Sequence, residues 1–99
     1  MKNVVVQGIG YVGAALSVAI SSRLDKKSKP LFNVMAINKQ DEIGNERIKN
    51  INSGVFPFKT KDNKLQQELK KSILRRNIVA GTSLSFYRSA SIIVVCINC

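Results

Sequence analysis

The chain has 99 residues, room for one domain. Hydrophobic residues make up 44% and charged residues 22%, ordinary globular usage that excludes disorder as a description of the whole. The formal net charge is +10 and histidine is absent, so the commonest general base and metal ligand are missing; the charge fits nucleic acid, an anionic membrane or an acidic ligand, but its spread along several segments favours a plain basic surface.

No apolar run approaches the roughly 20 residues that span a bilayer. The apolar stretch 4–20 is cut by Gly8, Gly10 and Gly13 and is preceded by a single basic residue, Lys2, which does not make a signal peptide. The expectation is a cytoplasmic protein with no membrane partner.

Lys2 to Gln7 carries three consecutive valines between polar ends and reads as a buried strand. The glycine turn follows at once. From Tyr11 to Leu24, Val12, Ala15, Leu16, Ala19 and Ile20 recur at helical spacing. The charged run 25–30 ends in Pro30, which cannot continue a helix. Leu31 to Ile37 reads as a second strand, and Asn38 to Asn45 as a polar loop. Glu46 to Ile51 has a short helical pattern that Asn52-Ser53-Gly54 stops.

Val55 to Asn63 is irregular around Pro57. Lys64 to Arg76 reads as an amphipathic helix, with Leu65, Leu69 and Ile73 on one stripe and basic residues elsewhere. Ile78 to Ala80 is a third strand, 84–90 a turn or short helix, and Ile92 to Ile97 a fourth strand whose apolar run suggests burial on both faces. Strands alternating with helices predict an α/β fold with a parallel sheet and helices on both faces. The expected fold is a Rossmann-type sheet of strand order 3-2-1-4 that stops after its first half, so residues 1–99 read as one partial dinucleotide-binding domain of a longer enzyme. Its open edge at 92–97 predicts association with further copies.

Gly8-Ile9-Gly10-Tyr11-Val12-Gly13 matches G-x-G-x-x-G, placed between a strand and a helix as the motif requires. Gly8 allows the tight turn, Gly10 lets a pyrophosphate approach the backbone, and Gly13 lets the helix pack on the strand. The helix N-terminus then offers free N–H groups and a positive dipole end. An acidic residue is expected at the end of the second strand to hold the adenosine ribose, and Asn38 stands there, followed by Lys39. Three readings stay open: NAD held more weakly, NADP through a 2′-phosphate, or Asp41 or Glu42 taking the ribose role.

The chain resembles the nucleotide-sugar dehydrogenases (the UDP-glucose/GDP-mannose dehydrogenase family). The resemblance lies in the Tyr11-Val12 pair inside the glycine motif, and in Arg47-Ile48 followed by Ile51-Asn52-Ser53-Gly54 and Pro57. Pro57-Phe58 and the basic helix after it follow the pattern of some members, so the resemblance runs over essentially the whole chain. It implies an enzyme that uses NAD to oxidise the C6 alcohol of a nucleotide-linked sugar to a carboxylate, with a nucleotide-sugar substrate. By position it implies that Gly10, Tyr11, Val12 and Gly13 line the pyrophosphate, that Asn38 replaces the ribose-binding aspartate, and that Arg47 and Thr82 lie near the cofactor. The family's catalytic residues fall beyond residue 99, so no catalytic residue is assigned here and the chain alone is expected to be inactive. Asn38 is not acidic, and the family's usual Thr-Asp pair reads Thr82-Ser83.

Cys96 and Cys99 form C-x-x-C, but strand spacing points them to opposite faces and a zinc site lacks further ligands, so no metal or redox role is expected. Two other classes remain. A nucleotide-sensing regulatory domain uses the same half-fold without catalysis. A nucleic-acid module fits the charge, but the basic residues are scattered and lack the interleaved aromatics that stack on bases.

Overall fold

The computed structural model describes residues 1–96. Strand β1 (Lys2–Gln7) leads into helix α1 (Tyr11–Ser21), then β2 (Phe32–Ile37), α2 (Glu42–Asn52), α3 (Asn63–Arg75), β3 (Ile78–Gly81), a 3-10 turn η1 (Leu84–Ser89) and β4 (Ile92–Val95). All strand pairs are parallel, in the order β3-β2-β1-β4. This is the α/β architecture and strand order expected from the sequence.

The sheet's two faces differ. Val4 and Val6 of β1, Val34 and Ala36 of β2, and Ile78 and Ala80 of β3 point to one face, where they meet Ala14 and Val18 of α1, Ile51 of α2 and Leu69 of α3. Each fully buried valine or leucine there contributes about 1.5–3 kcal/mol relative to exposure. On the opposite face Val5, Met35 and Ile37 are covered by Phe86, Tyr87 and Ala90 in and just after η1. The expectation of helices on both faces is therefore corrected: among the described residues α1, α2 and α3 share one face and a single 3-10 turn serves the other.

β4 departs further from its expectation. Its side chains are not buried on both faces: Ile92, Ile93 and Val95 are about half exposed, because among the described residues β4 is an edge strand with no helix over Ile93 and Val95. Ile97, the last residue of the predicted strand, lies outside the described residues.

Helix α2 begins four residues earlier than its apolar pattern suggests. Asp41 is the reason, since its carboxylate accepts from the Gly44 N–H at 2.6 Å and satisfies an otherwise unpaired donor of the first turn. Asp62 caps α3 in the same way through Lys64 N–H at 2.9 Å.

Asn52, which reads in the sequence as a helix stop, has a larger role. Its Nδ2 donates to the Ala80 carbonyl and its Oδ1 accepts from the Ala80 N–H, both at 2.9 Å. One side-chain amide thus pairs the backbone of the edge strand β3 as a further strand would, and closes that edge. Beyond α2, Gln66 of α3 holds the connection from both sides, donating to the Gly54 carbonyl at 2.6 Å and accepting from the Phe56 N–H at 2.8 Å. At the opposite end of the sheet, buried Asn77 donates to the Ser21 and Phe32 carbonyls, joining the ends of α1, α3 and β2.

Candidate dinucleotide site

The site forms where β1 ends. Gly8 donates its N–H to the Ile37 carbonyl at 2.7 Å and then turns with φ +103, a region that side-chain-bearing residues avoid. A Cβ at this position would also overlap the Cys96 carbonyl oxygen. Gly13 needs its bareness for a different reason. It sits in ordinary helix, but a Cβ there would overlap the Gly8 carbonyl oxygen. The first turn of α1 thus lies directly on the turn that leaves β1.

α1 starts at Gly10, which has no side chain to cap it. The N–H groups of its first turn lack intrahelical partners by the geometry of any helix, and the dipole adds partial positive charge at that point. This end of α1 meets a cleft of about 840 Å³ at the carboxyl ends of β1 and β2. The volume falls within the usual range for small-molecule and cofactor sites, and the place is where open parallel sheets bind ligands. Gly8, Gly10, Asn38, Arg47 and Thr82 all line it.

Two of these residues hold the glycine turn in place. Asn38 follows β2; its Oδ1 accepts from the Ile9 N–H at 3.2 Å. Arg47 reaches from α2 and donates through Nη1 to the Ile9 carbonyl at 3.1 Å. Ile9 itself is fully buried. Its two backbone polar groups, which burial would otherwise leave costly, are therefore both satisfied by residues that also face the cleft. The Arg47 guanidinium carbon lies over the Phe58 ring, 4.8 Å from its centre, within cation–π distance.

The side chains of Tyr11 and Val12 stand outside the cleft. Tyr11 packs edge-on against Phe56 and Phe58, with ring centres 5.8 and 5.7 Å away, and its hydroxyl is 3.1 Å from Thr60 Oγ1. Val12 is about half exposed, and Gly13 is buried against the turn. Toward a ligand at the start of α1 these three residues offer backbone N–H groups.

The aromatic set Tyr11, Phe56 and Phe58 was not legible beforehand as a unit. Its signal was the Phe-Pro-Phe run, which places two rings around Pro57. Lys39, whose place after Asn38 fits a 2′-phosphate, lines the cleft as well, and Tyr87 is a further cleft residue with no signal in the sequence pattern. Cys96 donates its N–H to the Gln7 carbonyl at 2.8 Å and packs against the core; Cys99 lies outside the described residues. No group of three or more His, Cys, Asp or Glu that could hold a metal occurs among the described residues. No helix among them is long and apolar enough to cross a membrane.

The chain shares its fold with nucleotide-sugar dehydrogenases. It matches an NDP-N-acetyl-D-galactosaminuronic acid dehydrogenase from Methanosarcina mazei with a TM-score of 0.84 at 18% identity, over 99% of this chain and 20% of that one. It matches a GDP-mannose dehydrogenase from Pseudomonas aeruginosa, solved as a ternary complex, with a TM-score of 0.77 at 19% identity, over 96% and 19% of the two chains. A UDP-D-ManNAc dehydrogenase from Pyrococcus horikoshii gives 0.73 at 19% identity, over 96% and 20%. The chain thus spans about a fifth of the length of these structures. No protein-family model matches the sequence, and no curated protein does.

Proposed function

We propose that this chain is the dinucleotide-binding portion of an oxidoreductase that acts on a nucleotide-linked sugar. The observation that carries the reading is the uncapped start of α1 beside Gly8 and Gly10, at the carboxyl edge of the parallel sheet and open to the cleft. The residues present suit a nicotinamide dinucleotide, NAD or NADP. Backbone N–H groups of Gly10, Tyr11, Val12 and Gly13 would hold the pyrophosphate, and Gly8 keeps the turn tight enough for its close approach. Asn38, Arg47 and Thr82 would surround the adenosine ribose, with Asn38 and Arg47 also keeping the Ile9 peptide fixed. When bound, the cofactor supplies the hydride acceptor for oxidation of the C6 alcohol of the sugar to a carboxylate.

The Arg47 to Pro57 sequence pattern supports a sugar-nucleotide enzyme over a regulatory domain, which would use the same half-fold. Substrate binding and catalysis belong to other parts of such an enzyme, so residues 1–99 alone bind cofactor without turnover. We assign the protein to the cytoplasm, the compartment of its cofactor and substrate classes, and assign the exposed apolar side of β4 to contact with a second copy or with the rest of the enzyme.

The test has two arms. Titration of the purified chain with NAD and NADP should give saturable binding to one site. Expression together with the reading frame that follows residue 99 should then give reduced nicotinamide on addition of a UDP- or GDP-linked sugar. A folded chain that binds no dinucleotide refutes the cofactor reading; binding without nucleotide-sugar oxidation by the extended protein refutes the dehydrogenase reading.

A further inference from the structure

The end of β2 decides how a dinucleotide's adenosine ribose is recognised. A carboxylate there accepts hydrogen bonds from the ribose hydroxyls and repels a 2′-phosphate, whereas a cation there receives the phosphate. Four consecutive cleft residues occupy this stretch: Asn38, Lys39, Gln40 and Asp41. Arg47 closes it from α2.

The acidic candidates are otherwise engaged or absent from the cleft wall. Asn38 is neutral, and its acceptor oxygen already takes the Ile9 N–H. Asp41 lines the cleft, but its Oδ1 caps α2 at 2.6 Å from the Gly44 nitrogen, and the positive end of that helix offsets its charge. Glu42 lies in the first turn of α2, is exposed, and is not among the lining residues.

The donors are better placed. Lys39, the residue after Asn38, is exposed and lines the cleft. The guanidinium of Arg47 has five N–H donors; Nη1 supplies the one to Ile9, and the group lies over the Phe58 ring. The wall thus presents two cations against one capping carboxylate.

Resting on the dinucleotide reading above, we propose that this cleft selects a 2′-phosphorylated dinucleotide, of the NADP class, over its unphosphorylated counterpart, with Lys39 and Arg47 receiving the phosphate. The preference is electrostatic. One additional charge-assisted hydrogen bond is worth about tenfold in affinity, and salt weakens it because Lys39 is exposed.

Calorimetric titration of the full chain with NADP, NAD, 2′,5′-ADP and 5′-ADP at low and high salt tests this. The two ADP compounds isolate the adenosine end. NADP and 2′,5′-ADP should each bind about tenfold more tightly than their counterparts, with a gap that narrows in high salt. Lys39→Gln, at an exposed position, should shrink the gap without unfolding the chain, and Asn38→Asp should reverse it. Asp41→Asn keeps a good helix cap and removes the charge. It should leave NAD binding intact and strengthen NADP binding.

Equal or tighter binding of NAD overturns the proposal while the dinucleotide reading stands. Loss of NAD binding in Asp41→Asn also overturns it, because Asp41 would then be the ribose ligand. Failure of all four compounds to bind a chain with native circular dichroism refutes the dinucleotide reading and this proposal together.

Discussion

Replacing Gly13 with alanine reverses an ordinary rule. Alanine in place of glycine inside a helix normally stabilises by about 1 kcal/mol, because glycine has more backbone freedom to lose. Gly13 lies in α1 with a helical backbone, so propensity alone favours the change. Its surroundings oppose it. The new Cβ would fall inside the van der Waals envelope of the Gly8 carbonyl oxygen and 3.0 Å from its carbon, with Cys96 Cβ 3.6 Å away. The obstructing atoms are backbone, and Gly8 is anchored by its N–H on the Ile37 carbonyl and by its own strained turn. Neither side can rotate away, so α1 must lift from β1. Overpacking of this kind costs about 1–3 kcal/mol, and a backbone obstacle puts it at the upper end. After the propensity gain, a net loss of about 1–2 kcal/mol remains. For a domain of this size that lowers Tm by roughly 4–16 °C. Differential scanning calorimetry and urea unfolding read the change directly. Asn45→Ala, at an exposed position in α2 where propensity acts without a clash, is the control and should be neutral or slightly stabilising. A Gly13→Ala chain as stable as the parent, or more stable, would refute the close-packing argument and with it the geometry assigned to the turn.

Three further outcomes follow from the same geometry. Asn52→Ala strips the paired side chain from both polar groups of Ala80 and should lower stability by about 1–3 kcal/mol, read as a reduced urea midpoint with unchanged slope. Arg47→Ala should weaken dinucleotide binding about tenfold by calorimetry while costing only about 1 kcal/mol of stability. Arg47→Lys should not restore affinity, since an ammonium cannot both hold the Ile9 carbonyl and present a planar fork. In sedimentation velocity the parent chain should show mass that rises with concentration, and Ile93→Lys, which charges the half-exposed apolar side of β4, should remove that dependence.

Much of this architecture was legible because it is written in local pattern. The valine run before Gly8, the helical spacing after Gly10 and the alternation of strands with helices lead directly to a parallel sheet and its order. The glycine turn was legible for the same reason: its three glycines are spaced by the physical demands of the strand–turn–helix. What escaped depends on partners distant in the chain. Asn52 meets Ala80 at a separation of 28 residues, and nothing near Asn52 announces an edge strand waiting for an amide. Tyr11 finds Thr60 across 49 residues, so its place in the motif suggested the cleft while its ring went to the phenylalanines. The apolar run of β4 looked buried because composition cannot distinguish an edge strand from a central one before its neighbours are known. The early start of α2 was available in principle: Asp41 is a good cap, but few apolar residues follow it to reveal the helical period.

The proposed dinucleotide site is the turn from Gly8 to Gly13, braced through Ile9 by Asn38 and Arg47. Amide-resolved nitrogen–proton NMR during titration with NADP and with NAD tests it most directly. Saturable shifts should concentrate on the Gly8, Gly10, Tyr11, Val12 and Gly13 amides, with smaller ones at Asn38, Lys39, Arg47 and Thr82. A folded chain whose glycine-turn amides stay unmoved at saturating dinucleotide, or whose shifts spread over basic residues remote from the cleft, contradicts it.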